Sequence, residues 1–321
     1  MAVYTEVGDE ELDEFVAQYD IGKVLSCKGI AEGVENTNYL LHTEAGHFIL
    51  TLYEKRVAAE DLPFFLGLIE HLAGKGLACP VPVHARNGKS LGELMGRPAA
   101  MVTFLDGVWA RRPKVIHCRE LGNALAQMHL ASADFTGKRA NALAVASWRD
   151  LFSQSGRRAD EVAPGLYDEI SRDLDDIEQN WPQDLRRGII HADLFPDNVF
   201  FLGETLSGFI DFYFACEDAF AYDLAICLNA WCFEKHNEFN ATKAQALVSA
   251  YQHLRPLDEA DLAALPLLAR GSAMRFLLTR LYDWLNTPES ALVTPKDPTE
   301  YVEKLRFHRG LTGPGGYGIN V

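Results

Sequence analysis

The chain has 321 residues, of which 48% are hydrophobic, and it carries a formal net charge of −15. This length allows two lobes with a core each, and the hydrophobic content is that of an ordinary globular protein. The acidic charge argues against nucleic acids and anionic membranes as partners, and the apolar stretches are too short for a membrane span. The acidic residues between Met1 and Phe15 are opposite in charge to a secretory signal, so we expect a cytoplasmic protein.

The first third of the chain is predicted to be rich in β-structure, because short apolar runs alternate with turn residues. The elements predicted there are a helix over 9–18, strands at 24–30, 39–42 and 46–53, a helix over 60–74 and a strand at 98–105. We therefore predict an N-terminal nucleotide-binding lobe over residues 1–105.

The remainder of the chain is predicted to be mostly helical. The predicted helices cover 115–130, 147–156, 164–180, 221–233, 241–253, 258–286 and 298–307, with short strands around a loop at 188–212. We predict a helical C-terminal lobe over 106–309 that holds the catalytic and acceptor sites, followed by a disordered glycine-rich tail at 310–321. The fold class is therefore α+β, with a small β-rich lobe and a larger helical lobe.

The segment Gly188–Phe201 carries the pattern of a phosphoryl-transfer site. His191, Asp193 and Asn198 stand at the spacing H-x-D-x-x-x-x-N, and a further acid, Asp211, follows between apolar residues. Phosphoryl transfer needs a carboxylate that receives a hydroxyl proton, and oxygen ligands that hold Mg²⁺ on the nucleotide phosphates. An ionised Asp in an apolar strand is costly to bury without a partner, and a metal ion supplies one. We predict Asp193 as catalytic base, Asn198 and Asp211 as Mg²⁺ ligands, and ATP as phosphoryl donor.

This order of motifs resembles the aminoglycoside phosphotransferase-like kinases, which share the protein-kinase fold. The resemblance covers residues from about 20 to 309 and is strongest over 188–231, where Asp223 matches an acid of the family signature. We expect Asp223 and His191 to support the catalytic loop rather than to take part in the chemistry. Two further stretches, 33–40 and 275–284, resemble the branch of this family that phosphorylates L-homoserine, which the resemblance therefore implies as acceptor.

Residues 29–38 are the predicted loop over the nucleotide phosphates. Gly29 and Gly33 allow close approach of the backbone, whose N–H groups bind phosphate, and Asn36 and Asn38 are candidate polar contacts. We expect the backbone of Phe104 and Leu105, at the end of the last predicted strand of the first lobe, to bind the adenine edge.

One position departs from the family pattern. The resemblance implies a Lys or Arg in the third strand that contacts the α- and β-phosphates, and Thr51 stands at that position. Two explanations stay open. Either Lys55 or Arg56 reaches the phosphates along another path, or the backbone and Mg²⁺ suffice.

The helix predicted around 271–286 is the candidate for acceptor recognition. A zwitterionic amino acid needs a cation for its carboxylate and an anion for its ammonium group. Arg280 and Asp283 are three residues apart and share a helix face, so we predict that they bind the acceptor, with Asn229 as a further polar contact.

Other acceptors and another class of function stay open on the sequence alone. Choline would need an aromatic cage, for which Tyr213, Tyr222 and Trp231 are available. Methylthioribose is a further alternative, and polycationic aminoglycosides would suit the acidic chain. A non-catalytic nucleotide-binding module is the alternative that Thr51 motivates.

Overall fold

The computed structural model describes residues 4–30, 36–54, 57–288 and 294–319. The chain divides into two compact units. Unit 1 contains Met1–Gly107 with two short later segments, Phe135–Gly137 and Ser207–Tyr213. Unit 2 contains the rest of the chain, from Val108 onward.

Unit 1 is built on a five-stranded antiparallel sheet with the strand order β1-β2-β3-β5-β4. Its helices and strands are α1 (Asp9–Val16), β1 (Val24–Gly29), β2 (Thr37–Thr43), β3 (Gly46–Leu52), α2 (Leu62–Gly74), β4 (Leu91–Leu94) and β5 (Arg97–Thr103). The strands β2 and β3 form a tight hairpin in which Thr43 pairs with Gly46. Gly46 has a φ of 131°, a conformation that favours glycine, which explains why the turn ends at this residue.

The sheet of unit 1 has an apolar cluster on each face. Leu50 of β3 and Met101 of β5 belong to a cluster that includes Phe15 of α1. Ala100, the neighbour of Met101, belongs to a second cluster with Phe65 of α2. Successive strand residues point to opposite faces, so α1 covers one face of the sheet and α2 covers the other.

Unit 2 is mostly helical. Its elements are β6 (Val108–Trp109), α3 (Val115–Ala131), α4 (Trp148–Ser155), α5 (Ala159–Val162), α6 (Leu166–Asn180), β7 (Arg187–Ile190), β8 (Val199–Leu202), β9 (Thr205–Phe209), β10 (Cys216–Ala219), α7 (Phe220–Trp231), α8 (Ala241–Leu254), α9 (Glu259–Asn286) and α10 (Thr299–Arg309). The strands form two small sheets, β6-β8-β9 and β10-β7. The last three residues of β9 already belong to unit 1.

The long helix α9 is the centre of unit 2 and contacts α4, α6, α7 and α10. It begins with a capping box in which Asp258 accepts from the backbone N–H of Asp261. Among the described residues α9 alone is long and apolar enough, by length and composition, to cross a membrane. Its most apolar window is 72% buried inside the structure, which is the burial of a core helix.

The end of the chain differs from the predicted disordered tail at 310–321. The described residues of this segment include a short 3₁₀ turn, Pro314–Tyr317. The side chain of Tyr317 is fully buried, lies 5.4 Å from the ring of Phe239, and forms a 2.8 Å hydrogen bond with Nδ1 of His308. The glycine-rich composition therefore misled the prediction, because one aromatic residue anchors the segment.

Candidate active site

The predicted catalytic loop follows β7 in unit 2. Asp193 and Asn198 are neighbours in space, because Nδ2 of Asn198 donates to the backbone oxygen of Asp193 at 2.8 Å and to its carboxylate at 3.2 Å. Two backbone hydrogen bonds close the loop between them, from Phe195 N–H to Asp193 and from Asn198 N–H to Phe195. Ala192, just before the catalytic Asp, has a φ of 63°. The loop therefore holds the predicted base and the predicted amide ligand together.

Asp223, on α7, holds the start of this loop. Its carboxylate is fully buried and accepts the backbone N–H groups of His191 at 2.8 Å and Ala192 at 2.9 Å. Nε2 of His129 lies 3.1 Å from the same carboxylate, and Nδ1 of His129 lies 2.8 Å from the hydroxyl of Tyr251. Burial by itself would raise the pKa of Asp223, but the hydrogen bond and charge of His129 and the contacts with His191 lower it overall. Asp223 is therefore an ionised acceptor that fixes the backbone before Asp193.

Arg275 supports the catalytic loop, a role that the sequence analysis did not predict. It is 3% exposed on α9, and Nη1 donates to the backbone oxygen of Ala192 at 2.6 Å. Its guanidinium lies 4.3 Å from the ring centre of Phe276 and 5.3 Å from that of Phe214. The available signal was a cation with apolar neighbours on both sides, Met274 and Phe276, in the middle of α9. A buried cation needs a partner, and here the partner is the strained peptide before the catalytic Asp.

The predicted metal ligand Asp211 belongs to unit 1 and lies just beyond β9. It was expected to be buried in an apolar strand, and this is wrong because the residue is exposed, with a φ of 62°. Its charge contributes to the raised pKa values of Tyr53 and Tyr213, for which burial is the larger cause. Asp211 therefore presents a carboxylate at the surface of unit 1, beside a pair of tyrosines.

A network of hydroxyl and amide groups surrounds Thr51, the residue at the position of the expected lysine. Oγ1 of Thr51 donates to Oδ1 of Asn38 on the paired strand at 2.7 Å, and Thr51 also bonds the side chain of Tyr213. The Tyr53 and Tyr213 hydroxyls are 3.1 Å apart. Neutral groups therefore satisfy one another where the family pattern has a cation. The suggested substitutes, Lys55 and Arg56, lie outside the described residues.

The other predicted nucleotide contacts lie in unit 1. Gly29 ends β1, and Gly33 lies outside the described residues. Asn36 is buried, and its Oδ1 accepts from the backbone N–H of Glu54 at 3.2 Å. Phe104 and Leu105 follow β5, with the side chain of Phe104 exposed. The amide oxygens of Asn36 and Asn38 thus both accept hydrogen bonds from other residues of unit 1.

The predicted acceptor residues have different surroundings in unit 2. Asn229 is fully buried on α7, where Nδ2 donates to the backbone oxygen of Ala269 and Oδ1 accepts from Nε2 of His308, each at 2.8 Å. Both ends of its amide are therefore used inside the core, and assigning it to the acceptor is wrong. Arg280 is paired with Glu300 of α10 at 2.6 Å, and Asp283 lies one turn further along α9, partly buried.

The fold places the chain in a known class. A solved structure of an amicoumacin kinase in complex with AMP-PNP, Ca²⁺ and Ami matches it with a TM-score of 0.70 at 17% identity. The match covers 94% of this chain and 92% of that one. The predicted α+β, protein-kinase-like fold is therefore confirmed.

The family follows from the sequence comparisons. The model of the phosphotransferase enzyme family matches residues 26–257, and the chain belongs to this family. A homoserine kinase of Nitrobacter winogradskyi is 64% identical over 321 residues, covering 100% of this chain and 98% of the relative. A homoserine kinase of Paramagnetospirillum magneticum is 63% identical over 325 residues, with 99% and 100% covered.

Proposed function

We propose that this chain transfers the γ-phosphoryl group of ATP to the side-chain hydroxyl of L-homoserine. The product is O-phospho-L-homoserine, an intermediate in threonine biosynthesis. The observation that carries the proposal is the 64% identity, over the whole chain, with a relative named homoserine kinase. The hydrogen-bonded pair of Asp193 and Asn198 in a braced loop supports the chemistry.

Asp193 is the proposed base. Its carboxylate orients the homoserine hydroxyl and accepts the proton as the hydroxyl oxygen bonds to the γ-phosphorus and the bond to the ADP oxygen breaks. General-base assistance of this kind contributes roughly 10²–10⁴-fold. Positioning and charge supply most of the remaining acceleration in phosphoryl transfer, so a loop held in one conformation favours the reaction.

Asn198 and Asp211 are the proposed ligands of Mg²⁺. The amide nitrogen of Asn198 is used within the catalytic loop, so its oxygen is the atom suited to a hard cation, and Asp211 offers an exposed carboxylate. When bound, Mg²⁺ supplies positive charge that neutralises the phosphates.

The nucleotide contacts are proposed from the sequence pattern. We assign the phosphates to backbone N–H groups at Gly29 and Gly33 and to the side-chain amide N–H groups of Asn36 and Asn38. The backbone at Phe104 and Leu105 serves the adenine. We also propose a cytoplasmic location.

The test is release of ADP by the purified protein with Mg²⁺ and ATP, measured with L-homoserine, choline, methylthioribose and kanamycin side by side. Turnover that depends on L-homoserine is the expected result. Efficient turnover of another acceptor would retain the phosphoryl-transfer site and contradict the substrate. Binding of ATP without turnover of any acceptor would contradict the enzyme and favour a nucleotide-binding module.

A further inference from the structure

A cluster of charged side chains joins α9 and α10 in unit 2. Glu300 accepts from Nη1 of Arg280 at 2.6 Å through one oxygen, and from Nζ of Lys304 through the other. Both cations lie over the ring of Tyr301, with distances of 4.4 Å and 4.5 Å to its centre. Two cations, Arg280 and Lys304, therefore share the single carboxylate of Glu300, so the three side chains together carry a net positive charge. The cluster therefore has the charge to attract an anion.

The two cations differ in their remaining capacity. The side chain of Lys304 is 4% exposed, and Nζ also donates to the backbone oxygen of Asn229 at 3.0 Å. Arg280 is 12% exposed and uses Nη1 alone, for Glu300 and for the backbone oxygen of Asp297. Its Nε and Nη2 make no hydrogen bond to any residue that the structure describes. A planar guanidinium with donors to spare suits a carboxylate.

Glu300 is the anion of the cluster. Burial would raise its pKa, but Lys304 and Arg280 lower the pKa overall, so Glu300 is ionised near neutral pH. Its side chain is 41% exposed, so a ligand can reach the carboxylate from solvent. Each carboxylate oxygen accepts one bond in the cluster and has a second lone pair. Arg280 and Glu300 thus present a cation and an anion side by side.

A row of aromatic rings connects this cluster with the catalytic loop. Phe195, two residues after Asp193, lies 4.9 Å from the ring of Phe276 on α9, and Phe276 lies 5.4 Å from the ring of Tyr301. The hydroxyl of Tyr301 is buried and has no hydrogen-bond partner among the described residues. Burial raises the pKa of Tyr301, and the charges of Arg280, Glu300 and Asp193 all act on it. The charges of the ion cluster and of the proposed base therefore act on the same buried phenol.

We propose that Arg280 binds the α-carboxylate and Glu300 the α-ammonium group of the acceptor amino acid, while the acceptor's side-chain hydroxyl reaches Asp193. This inference rests on the proposed function, and it replaces the predicted Arg280–Asp283 pair. An amino acid carries both charges on one carbon, so its receptor needs both opposite charges together, as in the 2.6 Å pair here. Arg280 and Lys304 repel acceptors that are only cationic, which selects against choline and aminoglycosides.

The test combines variants with trimmed acceptors. Arg280→Gln and Glu300→Gln are assayed with L-homoserine, with 3-amino-1-propanol, which lacks the carboxylate, and with 4-hydroxybutyrate, which lacks the ammonium group. The analogues are measured by turnover, or by competitive inhibition where turnover is too slow. Arg172→Gln on α6 and Glu303→Gln on α10 are matched controls, because both residues are exposed.

The expected result is a crossed pattern. Arg280→Gln lowers kcat/KM for L-homoserine about 30-fold or more. The same variant changes kcat/KM, or the inhibition constant, for 3-amino-1-propanol by less than about threefold, because this compound has no carboxylate to lose. Glu300→Gln lowers kcat/KM for L-homoserine to the same extent. It leaves the value for 4-hydroxybutyrate nearly unchanged, because that compound has no ammonium group. The two control variants behave as the wild type does. If either glutamine variant fails to fold, Arg280→Lys or Glu300→Asp takes its place, with a smaller loss in the same pattern.

Two results would overturn the assignment. In the first, the wild type uses L-homoserine, but each variant weakens the use or binding of all three compounds equally, or of none of them. The cluster is then structural, and the proposed function stands. If the wild type does not use L-homoserine at all, the proposed function fails and this subsite fails with it.

Discussion

Ala192 adopts a left-handed backbone conformation, with φ of 63°, next to the proposed base. Such a conformation costs a non-glycine residue about 1–2 kcal/mol. The peptide groups around it are held from two sides, by Asp223 at the N–H groups and by Arg275 at the carbonyl oxygen. Strain persists where surrounding contacts over-determine a conformation, so these contacts define where Asp193 lies.

The first prediction at this scale concerns Asp193. The variant Asp193→Asn keeps the shape of the side chain but cannot accept the proton, so kcat is expected to fall about 10²-fold or more. ATP binding stays near normal. Steady-state kinetics and ATP titration measure both quantities, with Asp168→Asn at an exposed position of α6 as control. Turnover like that of the wild type would remove Asp193 as base.

The second prediction concerns Arg275 as a positioning residue. Arg275→Lys keeps the charge but loses the fork that reaches Ala192, so kcat is expected to fall about 10- to 100-fold with KM for ATP little changed. The control is Arg270→Lys on the same helix, because Arg270 pairs with Asp173 and Asp176. Equal kcat for both variants would show that Arg275 serves stability alone.

At the scale of elements, α3 and α8 pack closely against each other at Gly122. A Cβ added at Gly122 of α3 would lie 2.1 Å from the backbone oxygen of Leu247 on α8. Real Cβ atoms do not come so close, so the helices would have to move apart. The absence of a side chain at this position therefore allows the two helices to pack.

The third prediction follows from this contact. Gly122→Ala is expected to lower the free energy of unfolding by about 1–3 kcal/mol, although alanine favours helices by about 1 kcal/mol. Gly74→Ala in α2 is the control, because nothing lies within 4 Å of the added atom. That variant should be neutral or slightly stabilised. Chemical denaturation measures both, and an unchanged Gly122→Ala protein would contradict the packing described.

For the whole molecule, buried neutral histidines make stability depend on pH. Burial, aided by the charge of Lys304, lowers the pKa of His308 to about 3, whereas an exposed histidine titrates near about 6.5. As the pH falls below about 6.5, the unfolded chain takes up the proton first. The contribution of His308 is therefore complete above about pH 6.5 and is lost progressively as the pH falls towards 3.

The fourth prediction is the size of this effect. Each pH unit in that window costs roughly 1.4 kcal/mol for one group, so His308 removes about 2 kcal/mol of stability between pH 7 and pH 5. His308→Gln, which does not titrate, should show a smaller difference between the two pH values by about that amount. Urea denaturation measures it, with exposed His253→Gln as control. An unchanged pH dependence would contradict the prediction.

The sequence by itself predicted much that depends on neighbours along the chain. The strands predicted at 39–42 and 46–53 and the long helix predicted at 258–286 lie within a few residues of the observed β2, β3 and α9. The spacing of His191, Asp193 and Asn198 indicated one loop, in which Asn198 indeed bonds Asp193. Hydrophobic periodicity and short motifs are local properties, so they can be read without knowing the packing.

The tertiary structure decided everything that depends on which elements meet. Arg280 and Asp283 share a helix face, yet the carboxylate paired with Arg280 comes from α10. Asn229 lies inside the core, Asp211 is exposed, and Tyr317 orders a glycine-rich end. Arg275 supports Ala192 from 83 residues away along the chain. Helical spacing determines which side chains are neighbours within one helix, but the partner of a buried charge on another element is determined only when the elements pack.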